Sequence, residues 1–126
     1  MTGPDDASRA GPGGGAKAAL ALLRERYREA MHDTLRDLDA LGARLEAAPD
    51  DASVVEEVRH AVHRLHGSAG SYGFARASEL AAGLEEQAMA WARDSAKDAA
   101  TRGAQVRALV AALRVEFGLG PRTVGG

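Results

Sequence analysis

Residues 60–74, HAVHRLHGSAGSYGF, hold three of the chain's four histidines at intervals of three, His60, His63 and His66, and follow them at once with Gly67, Gly70 and Gly73. Imidazole suits nucleophilic attack, proton transfer and metal ligation near neutral pH, because its ordinary pKa of about 6.5 leaves an unprotonated nitrogen available. Spacings of four and three also bring Glu56, His60 and His63 to one side of a helix, a carboxylate and two imidazoles of the kind that hold a metal inside helical bundles. These two chemistries demand opposite orientations. Metal ligands in a bundle point into its core, whereas a nucleophile that serves a large partner points out.

Helical geometry separates them. At about 100° per residue, Val54, Val58, Ala61, Val62, Leu65, Ala69 and Tyr72 share one apolar face. His63 stands nearly opposite, with Glu56, Arg59, Gly67 and Gly70 on its own side. Each interior glycine costs about 1 kcal/mol relative to alanine. On a face turned away from the bundle, two missing side chains open a flat approach to the imidazole. The spacing therefore favours an exposed, reactive His63, with a Glu56/His60/His63 metal site as the alternative.

The elements that position this histidine follow from periodicity. Between Ala16 and Phe117 four segments carry helical spacing and none alternates with period two. The first runs from Ala16 to about Ala48, with Leu20, Leu23, Tyr27, Met31, Leu35, Leu38, Leu41 and Leu45 as its inward stripe. Its length suggests a break or a short capping helix before it. PDDAS supplies turn chemistry and acidic residues for the start of a second helix at Asp51 or Ala52, which ends near Tyr72 with Gly73 as a left-handed cap. A third runs from Ala75 to Arg93 over Ala77, Leu80, Leu84, Ala88 and Trp91. A fourth runs from Lys97 to Phe117 over Val106, Leu109, Val110 and Leu113. Short loops between four amphipathic helices predict an all-α, antiparallel up-and-down four-helix bundle over residues 16–117. The Gly/Pro-rich ends, 1–15 and 118–126, read as disordered tails.

Composition narrows the function. A length of 126 residues supplies one domain, and 16 basic against 18 acidic residues, interspersed, give no basic stripe for nucleic acid or an anionic membrane. Without cysteine there is no disulfide framework or thiolate metal site. The sequence shows no signal-peptide order and no apolar run of membrane-spanning length, which points to the cytoplasm. No phosphate-binding glycine loop follows a strand, and no Ser/His/Asp pattern appears, so the chain reads as a non-enzyme.

VHRLHGSAGSYGF resembles the signature of histidine-containing phosphotransfer domains, HxLKG followed by small residues and a glycine about six positions on. His63, Leu65, Gly67, Ser68, Ala69, Gly70, Gly73 and Phe74 stand at matching positions. The resemblance implies a four-helix bundle whose second helix exposes a phosphoacceptor, His63. Its Nε2 would receive a phosphoryl group from a sensor histidine kinase or a receiver domain and pass it to a receiver aspartate. Similarity to the related phosphoacceptor domains of chemotaxis-type kinases implies that Glu85 orients the imidazole. Helical rise places Glu85 level with His63 on the returning helix, with Glu86 as the fallback. The family's usual lysine three residues after the acceptor is His66 here, with Arg59 or Arg64 as a second cation. The resemblance further implies a transient docking surface of Arg59, Val62, His66, Gly67, Gly70 and Ser71. The chain itself would need no cofactor, the Mg²⁺ belonging to the receiver, and would act as a monomer. A module that binds receivers without reacting is a further alternative.

Overall fold

The computed structural model describes residues 15–120. Asp51 starts the helix that carries the histidines: its carboxylate accepts the backbone N–H groups of Ser53 and Val54 at 3.0 and 3.3 Å, satisfying donors that a first turn leaves open. Four helices follow in order: α1 (Ala16–Ala47), α2 (Ala52–Ser71), α3 (Ala75–Arg93) and α4 (Arg102–Glu116). They form an all-α four-helix bundle, as the periodicity predicts, with no strand among the described residues. α2 packs most extensively on α3, and α1 on α4.

α2 ends where glycine permits it. Gly73 takes a left-handed conformation, φ 86°, so its N–H reaches Gly70 O at 3.1 Å and the next N–H, of Phe74, reaches back to Ala69 O at 2.8 Å. α4 ends in the same way at Gly118, φ 69°. Gly118 and Leu119, assigned to a tail on composition, instead pack on the bundle. Arg28 donates to the Gly118 carbonyl at 3.1 Å, and Leu119 lies against the core. The remainder of the expected tails, 1–14 and 121–126, lies outside the described residues.

The core follows the apolar stripes closely. Met31, Leu35, Leu38 and Leu45 of α1, Val54, Val58, Val62, Leu65 and Ala69 of α2, Ala77, Leu84, Ala88 and Trp91 of α3, and Val106, Leu109, Val110 and Leu113 of α4 are all buried. Tyr27 stacks on Tyr72 at 4.6 Å between ring centroids and meets Phe74 and Phe117, closing one end of the bundle.

Three expectations need correction. α1 is continuous for 32 residues, with neither a break nor a preceding capping helix among the described residues. Leu20 and Leu23, assigned inward by period, are 51% and 46% exposed. α1 is longer than α2, α3 and α4, which have 20, 19 and 15 residues, so its first turns project past the bundle with nothing to bury them. α4 starts at Arg102, not Lys97. Asp98 adopts φ 56° and accepts the Trp91 indole N–H at 3.0 Å, which holds the preceding residues in turns.

α1 and α4 cross at two glycines. A Cβ on Gly103 would lie 2.6 Å from Gly42 O and 2.7 Å from Glu46 N, both backbone atoms that cannot swing aside. Gly103→Ala is therefore expected to destabilise the bundle by about 2–3 kcal/mol by forcing the helices apart. Urea denaturation checks this, and an unchanged midpoint would contradict the close crossing.

Candidate functional site

His63 lies past the middle of α2, on the face opposite the buried valines, with its side chain 67% exposed. α3 runs back alongside and brings Glu85 to the same level. His63 Nδ1 is 2.6 Å from Glu85 Oε2. The helical rise selects Glu85 over Glu86, which is exposed one position further on. Glu85 is only 16% exposed, so its carboxylate sits in the α2–α3 seam beneath the imidazole rather than in bulk water.

The same carboxylate holds a second ring. His66 Nδ1 lies 3.1 Å from Glu85 Oε1. Burial pushes the Glu85 carboxyl upward, but hydrogen bonds from His63 and His66 outweigh it and hold the group below the usual carboxylate range. Near neutrality Glu85 is thus ionised and can only accept, so both imidazoles donate Nδ1–H and, when neutral, keep the lone pair on Nε2. A lowered carboxyl pKa means these contacts stabilise the fold above the ordinary carboxylate range, and acidification through the lowered value removes them.

Ser78 of α3 fixes the register, donating from Oγ to the His66 carbonyl at 2.6 Å. Neither Ser78 nor the His66–Glu85 contact was anticipated from sequence. A spacing of three from His63 keeps His66 within reach of any group that meets His63, and that is the signal that could have found the second contact.

The remaining expected site residues divide. Gly67 is open: a Cβ there would meet nothing within 4 Å. Gly70 is exposed, but a Cβ would come 3.3 Å from Ser78 Oγ, so this glycine also serves the close approach of α3. Ser71 is exposed and donates from Oγ to Gly67 O at 3.1 Å. Arg59 is half-buried and pairs with Glu56, whose hydrogen bond chiefly holds its guanidinium pKa up, with a smaller contribution from the Glu85 charge. Val62 is corrected outright: at 0% exposure it belongs to the core and offers a partner no surface. The alternative metal set is not assembled. His60 Nε2 turns to Glu56 Oε2 at 3.1 Å while His63 turns across to α3, and no cluster of three or more His, Cys, Asp or Glu positioned for a metal occurs among the described residues.

No helix among the described residues is long and apolar enough to cross a membrane. A comparison with curated proteins and with solved structures finds no match to the chain. A family model described as the Hpt domain matches residues 22–116, a span that takes in all of α2 and α3, the Glu85 carboxylate, and α4 through its last residue. An exposed imidazole on the second helix of a four-helix bundle, held from the third helix by a carboxylate, lies within a match that covers most of the sequence, and the chain belongs to the Hpt domain family.

Proposed function

We propose that the chain carries a phosphoryl group on His63 Nε2 between a sensor histidine kinase or receiver domain and a receiver aspartate in a two-component phosphorelay. The observation that supports this reading most is the 2.6 Å contact between His63 Nδ1 and Glu85 on an open face beside Gly67. Transfer proceeds by attack of the Nε2 lone pair on the phosphorus of an aspartyl phosphate. The N–P bond forms as the acyl P–O bond breaks, and the electron pair leaves with the receiver's carboxylate. No proton has to move, because Nε2 carries none and Nδ1–H stays on Glu85, whose charge offsets the cationic ring.

The chain acts here as a carrier rather than an enzyme. The docked receiver contributes its acidic pocket and the Mg²⁺ held there, while Arg59, His66, Gly67, Gly70 and Ser71 border the approach. The interface is transient and modest in area. As a cytoplasmic monomer, the chain would meet kinase and receiver by diffusion.

Two outcomes test this reading. His63→Gln is expected to cut uptake from a phosphorylated receiver by at least about a hundredfold, since a neighbouring group one turn away is misplaced for in-line attack. Uptake that survives at the wild-type rate would overturn it. Absence of uptake by the wild type from any active receiver would favour a module that binds without reacting.

His66 occupies the place of the family's usual lysine. Its protonated form is the cation available to the phosphoryl oxygens, where a lysine would supply a fixed charge. His66→Lys is therefore expected to flatten the pH profile of transfer between about pH 6 and 8, where a lysine stays charged. An unchanged profile in rate measurements across that range would contradict a role for His66 charge.

A further inference from the structure

His66 differs from an ordinary surface histidine in two respects that it shares with His63. The first is the carboxylate: Glu85 Oε2 takes His63 Nδ1 at 2.6 Å, and Oε1 takes His66 Nδ1 at 3.1 Å. An untethered neutral imidazole divides its proton between two nitrogens, whereas these two rings, in their neutral form, both keep Nε2 unprotonated. Both side chains are open, 67% and 47% exposed.

The second is what lies one turn further on. Helical side chains lean toward the N-terminus, so a residue is covered chiefly by the side chain about four positions later. Gly67 follows His63 and Gly70 follows His66 at that interval. The other two histidines have arginines there, Arg64 after His60 and Arg36 after His32. His60 also engages its Nε2 with Glu56. Although Gly70 serves the packing against Ser78 as well, the absence of its side chain uncovers His66.

We infer that His66 is a second phosphoryl acceptor, open to small phosphoryl donors that need no docked protein. The inference rests on the same reading that makes His63 the relay acceptor. With phosphoramidate as donor, the Nε2 lone pair attacks phosphorus and the new N–P bond forms as the donor's own P–N bond breaks. The donor nitrogen departs as ammonia, and Nδ1–H stays on Glu85. Relay transfer needs a docked receiver and small-donor reactivity does not, so the two can be measured separately.

The test is a time course with phosphoramidate on the whole chain at neutral pH, with each histidine's phosphorylation mapped by tandem mass spectrometry. His63 and His66 are both expected to react at least about tenfold faster than His32 and His60, the internal controls. His63→Gln should leave the His66 rate unchanged, and Glu85→Gln should bring both rates down to that of His32. Reaction of His66 at the His32 rate, in wild type and in His63→Gln, would overturn the inference, and if His63 stays fast the relay reading stands. A fast His66 beside a slow His63 would support the second site while removing the chemical basis for His63 as carrier.

Discussion

Glu85→Gln is expected to slow receiver-driven phosphorylation of His63 by about 10–100-fold while changing the urea midpoint little. The carboxylate accepts from two imidazoles at once, one on each oxygen. An amide has one acceptor and one NH₂ donor, so one ring must face a donor and move its proton to Nε2, where it blocks the lone pair. The negative charge that offsets the phosphorylated ring is lost as well. On the proposed reading Glu85 positions the ring, whereas a merely structural role would leave the ring proton where it is. Nitrogen NMR of His63 distinguishes the two: the wild type should show a protonated Nδ1, and the variant a mixture of tautomers. A wild-type transfer rate in Glu85→Gln would contradict the assignment.

The largest effect on stability is expected at Arg102→Met, a loss of about 3–5 kcal/mol. Arg102 is 1% exposed, and its guanidinium gathers carbonyls from three parts of the chain. It donates to Pro49 O in the α1–α2 turn at 2.7 Å, to Lys97 O in the α3–α4 loop at 2.9 Å, and to Asp94 O at the end of α3 at 2.9 Å. It also lies 5.5 Å from the centre of the Trp91 ring. Methionine fills much of the volume but satisfies none of these acceptors, and lysine cannot reach them from a single ammonium group. Against a typical total stability of about 5–15 kcal/mol such a loss is severe. Chemical denaturation measures it, and a change below about 1 kcal/mol would contradict the role.

Much of the bundle was legible in the sequence because its signals are local. Leu35, Leu38 and Leu45, the α2 valines and Gly73 each act through the period or backbone of their own segment, and they stand where that period puts them. What remained illegible depends on partners distant in sequence. Leu20 and Leu23 carry the inward period of α1, but the other helices are too short to cover them. Arg102 reads as an ordinary helical cation until the fold brings Pro49 beside it. At the site, the helical angle of His63 turns it away from the core and separates it from a metal set with His60. The rise of two antiparallel helices then brought Glu85 level with it. The angle of each histidine taken singly leaves His66 only a phosphate to meet, because the carboxylate both rings share comes from a helix distant in sequence. Val62 shows the opposite error: proximity in sequence suggested a docking residue, whereas its angle, among the core-facing valines, already placed it inside.

The position of the phosphoryl group after transfer from a receiver is the most direct measurement. Wild-type protein incubated with a phosphorylated receiver and Mg²⁺, then examined by ³¹P NMR and site-mapped mass spectrometry at neutral pH, should carry its phosphate predominantly on Nε2 of His63. Phosphate found mainly on Nδ1, or mainly on any other residue, would contradict His63 as the carrier.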